Sequence, residues 1–330
     1  MVIQKDKNMI FSQIPYRISL FGGGTDFPEW FNNNDGMVIS TAINKYATIG
    51  IRYLPGFFNH KHRIVYSKID LVNKISQISH PVVRTGLDYY GVKQGIELCH
   101  YGDLPARSGI GSSSSFTVGF VYLINKLKNK DISKNQIAKE AIKLEREIMG
   151  ESGGWQDQII ASYGGFKFIN FKKKKFRVRN INIKQKNIKK LSNSLLMFYS
   201  GDVRNSYIIQ ENLKKKIPKL NYELNLLCDL SQEAKKIILS EKNYDDLGKL
   251  LDETWQIKKK LNHSVSNNKI DEIYKLAIKS GAIGGKLIGA GLAGFLIFYC
   301  PINKQKKLIK SLNKLIHIPF EFEPEGVKSI

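Results

Sequence analysis

The segment LPARSGIGSSSSFTVGF, from Leu104 to Phe120, sets glycines and four consecutive serines directly against an apolar stretch. Residues 94–102 before it read as a strand, and apolar residues recur at helical spacing after it. Glycine lets a backbone approach an anion closely, and a helix N-terminus presents partial positive charge to that anion. A flexible Gly/Ser linker is the alternative, but linkers are not bounded by a strand and an apolar-striped helix. Residues 109–115 therefore predict a phosphate-binding loop, whose serine hydroxyls also suit Mg²⁺.

Other nucleotide-binding motifs fit this sequence poorly. A Walker A loop needs a lysine followed by Ser or Thr after its last glycine, and the His-Arg-Asp and Asp-Phe-Gly landmarks identify protein kinases; the sequence has neither. Gly289, Gly291 and Gly294 spell GxGxxG, but the strand-like FLIFYC follows them. A dinucleotide fold needs a strand, then the glycines, then a helix, so the order is wrong for NAD.

Length and composition limit the class of protein. The chain has 330 residues, of which 42% are hydrophobic, enough for one large domain or two ordinary ones. No apolar run approaches the roughly 18 residues of a membrane span, and the first residues lack signal-peptide features, so we expect a soluble, cytoplasmic protein. Cys99, Cys228 and Cys300 lie far apart without a CxxC pair, which indicates neither a disulfide framework nor a zinc site.

The net charge of +23 favours anionic partners. Nucleic acid, an anionic membrane surface and phosphorylated metabolites all satisfy that condition. Lysine is abundant throughout the chain, so much of the charge is also compatible with a general compositional bias and solvated faces. An RNA-binding protein is the alternative from a different class, although the sequence lacks RNP-type aromatic residues and a basic stripe concentrated on one element.

The organisation along the chain suggests two α+β halves. Residues 9–21 and 36–53 predict a strand and a strand pair, and the segment GGFKFINFKKKKFRVRN resembles a hairpin with a lysine-rich turn. Long amphipathic helices follow residue 206, which places a boundary near residues 190–200. We expect a site between the two halves.

Two acidic residues downstream of the loop are candidates for chemistry. At about 100° per residue, residues 136–149 have one apolar stripe, made up of Ala138, Ala141, Ile142, Leu144, Ile148 and Met149. Glu145 falls near the middle of this stripe, and Glu147 falls outside it. A buried carboxylate must be paired or bind a cation, so the alternatives are a core salt bridge and a magnesium site with a loop serine. Asp157 opens a short helix after a Gly-Gly turn, where an acid needs no function beyond capping.

Three segments of the chain together resemble one enzyme family. They are PYRISLFGGGTDF at 15–27, LPARSGIGSSSS at 104–115 and KLIGAGLAGFLIFY at 286–299. In this order they are similar to the signatures of the kinases of galactose, homoserine, mevalonate and phosphomevalonate, the GHMP kinases. The resemblance implies an α+β fold with an N-terminal domain that contains a left-handed βαβ unit and a ferredoxin-like C-terminal domain. We place these domains at residues 1–195 and 196–330, with substrate in the cleft.

The resemblance also implies a role for each matching residue. Asp157 would be the catalytic acid/base that faces the attacking hydroxyl, and Arg17 would orient it. Ser113 and Glu145 would be the magnesium ligands. The phosphates of ATP would lie against Gly109, Ile110, Gly111, Ser112, Ser113 and Ser114. The sugar would be bound by Gly23, Gly24, Thr25, Asp26, Gly289, Ala290 and Gly291.

Within the family, YRISLFGGGTDFP, HPVVRTGL, SSSSFTVG and GGWQDQIIASYGGF are most similar to a branch of sugar-1-kinases. That branch acts on D-glycero-D-manno-heptose 7-phosphate and yields the 1,7-bisphosphate used for nucleotide-activated heptose and surface polysaccharide, in capsule or lipopolysaccharide. A kinase of an unphosphorylated sugar such as galactose, fucose or mannose is the runner-up. The implied partners are ATP and a sugar phosphate, without nucleic acid or membrane; a homodimer is left open.

The sequence departs from the family pattern at several positions. Arg107 replaces a small residue, Leu292-Ala293 replaces glycine, and Trp155 stands where the family pattern has lysine. Trp155 either stacks on a sugar face or packs in the core. Arg84, Arg107 and Arg204 are candidate ligands of the 7-phosphate, because a guanidinium binds phosphate in bidentate fashion.

Overall fold

A computed structural model describes residues 8–201, 206–261 and 265–330 of the chain. Within these ranges, two β-sheets form the framework, one of eight strands and one of four. The strands of the larger sheet are β1 (Ile10–Phe21), β2 (Gly36–Tyr53), β3 (His62–Val65), β4 (Ile69–Val72), β5 (Ile96–Gly102), β6 (Phe166–Lys172), β7 (Lys175–Asn180) and β12 (Lys328–Ser329). Those of the smaller sheet are β8 (Leu195–Tyr199), β9 (Gly284–Leu287), β10 (Phe295–Tyr299) and β11 (Ile316–Ile318).

The larger sheet is built around β1 and β2, which pair antiparallel over most of their length. The sequence predicted a strand pair over residues 36–53, but this prediction is wrong, since β2 is one strand of 18 residues. Its first part pairs with β6 and its second part with β5, so β2 has a different neighbouring strand along each half of its length. The predicted hairpin of β6 and β7 is confirmed.

Helices α1 to α5 belong to the N-terminal half. They are α1 (Pro28–Phe31), α2 (Pro81–Tyr89), α3 (Ser112–Leu127), α4 (Lys134–Ile142) and α5 (Gln156–Tyr163). A capping box of Ser133 and Gln136 begins α4. β3 pairs parallel with β5, and β4 and α2 lie between them along the chain, as a βαβ connection requires. The left hand of that connection stays a prediction.

The smaller sheet has the ferredoxin-like strand order predicted for the C-terminal half. Its order is β11-β8-β10-β9 with every neighbouring pair antiparallel, which is the 4-1-3-2 arrangement of two interleaved β-α-β units. The helices of this half are α6 (Gln185–Asn193), α7 (Ser206–Lys216), α8 (Asn221–Ser240), α9 (Asp245–Leu261), α10 (Asn268–Lys279) and α11 (Ile302–Ser311).

The two halves share a continuous apolar core. Ile14 of β1, Met197 of β8 and Phe295 of β10 belong to one cluster of buried side chains, and α8 and α9 both contact β1. The last residues return to the larger sheet, where β12 pairs with β1. The boundary at 195/196 therefore stays a prediction. No helix in the described ranges has both the length and the apolar character to cross a membrane.

Candidate active site

The predicted phosphate loop leads directly into α3, as the sequence indicated. Gly111 precedes the first residue of α3 and has φ 74°, and an added Cβ there would lie 3.2 Å from an Asp157 oxygen. The first N–H groups of a helix have no partner within it, and within the described residues no side chain caps α3. Gly111 thus lets the loop approach Asp157 while α3 directs its positive end into the same space.

Arg17 and Asp157 form a bidentate ion pair beside this loop. Arg17 Nε donates to Asp157 Oδ1 at 2.7 Å, and Arg17 Nη2 donates to Oδ2 at 2.6 Å. Arg17 Nη1 donates to the carbonyl of Gly109 at 2.5 Å, and its backbone N–H donates to Ile110. The guanidinium therefore fixes both the orientation of the carboxylate and the position of the phosphate loop.

Glu145 lies behind the loop, fully buried. Its Oε1 accepts from Thr117 at 2.7 Å, its Oε2 accepts from Ser114 at 2.9 Å and from Gln158 Nε2, and Arg146 Nη2 lies 3.6 Å from Oε2. The predicted burial of Glu145 is confirmed, and Glu147 is exposed as expected. The serine in contact with Glu145 is Ser114, however, whereas Ser113 is exposed.

A π-helical turn at Lys143–Ile148 explains where the helical-wheel prediction fails. The prediction assumed one continuous α-helix and placed Ile148 on the buried stripe, but Ile148 is 37% exposed. A π turn adds a residue to the turn and therefore shifts the phase of every side chain after it. Such turns are frequent at functional sites, and this one contains Glu145.

The glycine-rich turn after β1 places Asp26 at the other side of the site. The carboxylate is buried and accepts from the N–H of Gly24 at 3.0 Å and of Gln156 at 3.2 Å. Burial raises the pKa of Asp26, and the charge of Asp157 raises it further against the lowering effect of these N–H groups. An added Cβ on Gly154 would lie 1.8 Å from Asp26 Oδ2, so this contact requires glycine.

A cleft between the two halves joins these features. Its lining includes five of the seven predicted sugar-binding residues, namely Gly23, Gly24, Asp26, Gly289 and Ala290, and it includes Arg17 and Asp157. Thr25 does not line it, since its hydroxyl donates to the carbonyls of Gly22 and Met37 within the turn. Gly291 is also absent from the lining, and it approaches Val265 instead.

Three polar side chains that the sequence analysis missed line the same cleft. Ser19 Oγ, Gln156 Oε1 and Thr254 Oγ1 are buried, and each lacks a hydrogen-bond partner among the described residues. Two of them carried a signal in the sequence: Ser19 stands two residues after Arg17 on the same strand face, and Gln156 precedes Asp157. Thr254 on α9 comes from a helix with no motif.

The lining of the cleft has more basic than acidic side chains. Besides Arg17, the lining includes Arg146, Lys258 and Lys286, against the two acids Asp26 and Asp157. Arg146 donates to the carbonyls of Ser152 and Gly154, and Lys258 Nζ donates to those of Leu287 and Gly289. The lining therefore has an excess of positive charge.

The remaining candidates lie outside the cleft lining. Trp155 packs edge-on against Phe31, with ring centroids 4.7 Å apart, so it contributes to the core. Arg84 donates to the carbonyl of Ile78 on an exposed face, and Arg107 is exposed in the loop before α3. Arg204 lies outside the described residues.

Comparison with known proteins agrees with this geometry. Residues 73–165 match the N-terminal domain of GHMP kinases, and residues 232–315 match their C-terminal domain. A D-glycero-alpha-D-manno-heptose 7-phosphate kinase of Campylobacter jejuni is 32% identical over 97% of this chain and 98% of its own. The chain belongs to the GHMP kinase family. This GHMP kinase is thus a phosphotransferase, and the family uses ATP as phosphate donor.

Solved structures agree with the fold of this GHMP kinase. A putative sugar kinase from Campylobacter jejuni is 26% identical, with a TM-score of 0.71 over 99% of each chain. A D-glycero-D-manno-heptose 1-phosphate kinase from Bacteroides thetaiotaomicron has a TM-score of 0.79 over 97% of this chain and 98% of that chain. At 21% identity the latter supports the fold alone.

Proposed function

We propose that this GHMP kinase transfers the γ-phosphoryl group of ATP to the anomeric hydroxyl of D-glycero-D-manno-heptose 7-phosphate. The product would be the 1,7-bisphosphate, a precursor of nucleotide-activated heptose for surface polysaccharide. The observation that carries the proposal is the composition of the cleft, whose lining has four basic side chains and two acids, the Arg17–Asp157 pair included. Such an excess of positive charge suits an acceptor that is itself anionic.

Asp157 would accept the proton of the attacking hydroxyl. In the step, a bond forms between the anomeric oxygen and the γ-phosphorus, the bond from that phosphorus to the β–γ bridging oxygen breaks, and ADP leaves with that electron pair. Arg17 holds both oxygens of Asp157, so the carboxylate meets the hydroxyl in one fixed orientation. Phosphoryl transfer passes through a loose transition state, so positioning and charge neutralisation contribute more than proton removal.

A magnesium ion bound with the nucleotide would neutralise charge on the phosphates. The side chains fit this ion chemically, because Mg²⁺ takes oxygen ligands and needs only one or two from the protein. Glu145 and Ser113 are the proposed ligands, and the contact of Glu145 with Ser114 shows that a carboxylate and a serine hydroxyl meet at the loop. Thr117 and Gln158 hold the Glu145 carboxylate at that place.

The unpartnered polar atoms of the cleft support a polyhydroxy acceptor. A buried hydroxyl or amide oxygen without a partner costs about 1–3 kcal/mol, and a bound sugar hydroxyl would remove that cost. Ser19, Gln156 and Thr254 each supply one such atom, and Asp26 adds a buried carboxylate. These four groups are the proposed ligands of the sugar ring, together with the backbone of Gly23, Gly24, Gly289 and Ala290.

A kinase of an unphosphorylated sugar is the second candidate. The fucokinase/GDP-fucose pyrophosphorylase of Arabidopsis thaliana is 26% identical over 94% of this chain, which makes up 31% of that protein. The positive lining of the cleft favours the phosphorylated acceptor over this one.

Release of ADP over a panel of acceptors separates the two candidates. The matched pair is D-glycero-D-manno-heptose with and without its 7-phosphate, supplemented with galactose, fucose and mannose. We expect kcat/KM to be at least about 10²-fold higher with the 7-phosphate, since a charge-assisted phosphate contact of about 3 kcal/mol corresponds to that ratio. Turnover confined to the free sugars would overturn the proposal.

A further inference from the structure

Lys286 is a buried cation of the cleft with no role in the mechanism above. It lies on β9, its side chain is 3% exposed, and it lines the cleft together with Arg17 and Asp157. Its Nζ donates to the carbonyl of Leu20 at 2.8 Å, across the junction of the two halves. Leu20 lies on β1 three residues after Arg17, whose guanidinium binds the phosphate loop at Gly109.

Among the described residues, the groups around Lys286 leave its charge without a carboxylate partner. From β1 the facing charged group is Arg17, which is already bound to Asp157 of α5. On α9, Lys258 Nζ donates to the carbonyl of Leu287, the residue that follows Lys286 on β9. On β10, the segment FLIFY is apolar apart from the hydroxyl of Tyr299, which donates to Asp245. Among the described residues the hydrogen-bond partner of Lys286 is a neutral carbonyl, and no acid lies within ion-pair distance of it.

Burial of an uncompensated charge is costly, and this cost favours the neutral form of the Lys286 amine. Burial lowers the pKa of Lys286 to about 7, and the charge of Arg17 contributes to the lowering. A core residue of this volume would be expected to be apolar, or to have an acid opposite it. An anion that enters the cleft from solvent would supply the missing partner.

We propose that Lys286 is a phosphate ligand of the cleft that binds the phosphoryl group in transit. This inference rests on the proposed kinase function. The transferred group is favoured over the phosphate of the acceptor, because Lys286 lines the cleft with Arg17, and Arg17 binds both Asp157 and Gly109 of the phosphate loop. Lys286, the first residue of the third signature, would thereby bring a positive charge from the C-terminal half to the transferred phosphoryl group.

Proton uptake on nucleotide binding follows from this assignment. In the free protein at neutral pH, part of the Lys286 side chains are neutral amines. When a polyphosphate approaches, Nζ takes a proton from buffer and remains charged next to the phosphate oxygens. Binding should therefore consume protons, and the amount should fall as the pH is lowered and more of the free protein is already protonated.

Calorimetry with Mg²⁺ and AMP-PNP tests the assignment without an acceptor. Titrations at pH 7.5 in buffers of different ionisation enthalpy give the number of protons taken up. We expect Lys286→Met to take up fewer protons than the wild type, by roughly half a proton, and to bind the nucleotide several-fold more weakly. The control is Lys128→Met, which removes another lysine–carbonyl contact, to Tyr90, outside the cleft and should match the wild type. Equal proton uptake by all three proteins would overturn the proposal.

Kinetics distinguish the two sources of phosphate. With the acceptor found active in the panel, Lys286→Met should lower kcat by about 10–10³-fold and change the KM of the acceptor less than threefold. Lys286→Arg should retain part of the rate, and it should lose the proton uptake since arginine stays charged. A selective rise in the KM of the sugar phosphate would instead assign Lys286 to the acceptor's phosphate.

Thermal melts of both variants separate a folding defect from loss of the contact. If no sugar is turned over, the kinase proposal fails, whereas the calorimetric result stands by itself.

Discussion

The two ends of the cleft differ in how completely the protein satisfies its own polar groups. At the phosphate end, Glu145 has partners at both oxygens, and Arg17 holds Asp157 with two hydrogen bonds. At the sugar end, the buried hydroxyls of Ser19 and Thr254 have no hydrogen-bond partner among the described residues.

The phosphate end is therefore held in position before substrate binds, whereas the sugar end has polar groups that a substrate would complete. A site for a transferred phosphoryl group must be rigid before substrate arrives, because positioning provides most of the rate. A site for a particular sugar needs groups whose hydrogen bonds are completed by that sugar, because a wrong acceptor then leaves them buried and unpaired. We therefore expect changes at the phosphate end to lower kcat, and changes at the sugar end to discriminate between acceptors.

The largest effect is expected from Asp157→Asn. The amide keeps the size of the side chain but removes the proton acceptor and the ion pair with Arg17, so kcat should fall by about 10²–10⁴-fold with little change in the KM of ATP. Asp131→Asn is the matched control, since Asp131 is 88% exposed and pairs only with Lys126 among the described residues. The steady-state turnover of both variants is measured, and a near-normal kcat of Asp157→Asn would show that Asp157 is not the catalytic acid/base.

A smaller effect is expected at the contact of Gly154 with Asp26. In Gly154→Ala, the added Cβ would lie 1.8 Å from Asp26 Oδ2, the oxygen that accepts from the N–H of Gln156, so the Asp26 carboxylate must shift from its position. A displacement of about 1 Å at a reacting centre costs roughly 10²-fold, and we expect that loss in kcat/KM for the acceptor. Gly56→Ala meets no atom within 4 Å and should leave kcat/KM unchanged. An unchanged KM and kcat in a folded Gly154→Ala protein would show that Asp26 does not bind the acceptor.

At the phosphate end, Glu145→Gln tests the magnesium site. The amide keeps the shape but loses the charge, so the Mg²⁺ concentration for half-maximal rate should rise about tenfold or more. Glu147→Gln, two residues away on the exposed side of the π-helical turn, should leave this concentration unchanged. Magnesium titrations at fixed ATP compare them, and equal shifts in the two variants would favour a purely structural Glu145.

The smallest expected effect concerns the pH dependence of stability at Lys286. Its pKa is about 7 in the folded protein and 10.5 as an ordinary lysine, so between these values the unfolded chain binds more protons. The wild type should therefore gain stability as pH rises from 7 to 9, by on the order of 1–2 kcal/mol relative to Lys286→Met. Urea unfolding of both proteins without ligands measures the difference. A constant difference across this pH range would contradict the burial of an uncompensated charge.

The sequence predicted the phosphate end better than the sugar end, for a physical reason. A backbone anion site needs glycine at fixed positions and a helix start, and Gly111 and the serines before Phe116 show that pattern directly. Burial of Glu145 follows from helical periodicity, although the π-helical turn shifts that periodicity by Ile148.

The sugar end depends on contacts between residues far apart in the chain. Thr254 lies on α9, and the packing of the C-terminal half against β1 brings it into the same cleft as Ser19. The same packing brings Lys286 of β9 into the cleft with Arg17 and Asp157. Thr25 shows the opposite case, because the motif suggests a sugar ligand and the structure uses its hydroxyl to close the turn. The long β2 likewise could not be deduced, since its two parts pair with strands distant in sequence.

Phosphorus NMR of the reaction product shows which oxygen of the heptose receives the phosphoryl group. With ATP, Mg²⁺ and D-glycero-D-manno-heptose 7-phosphate, we expect a second sugar phosphate resonance coupled to the anomeric proton, while the 7-phosphate resonance remains. Absence of that resonance, with ADP formed only from unphosphorylated sugars, would contradict the account.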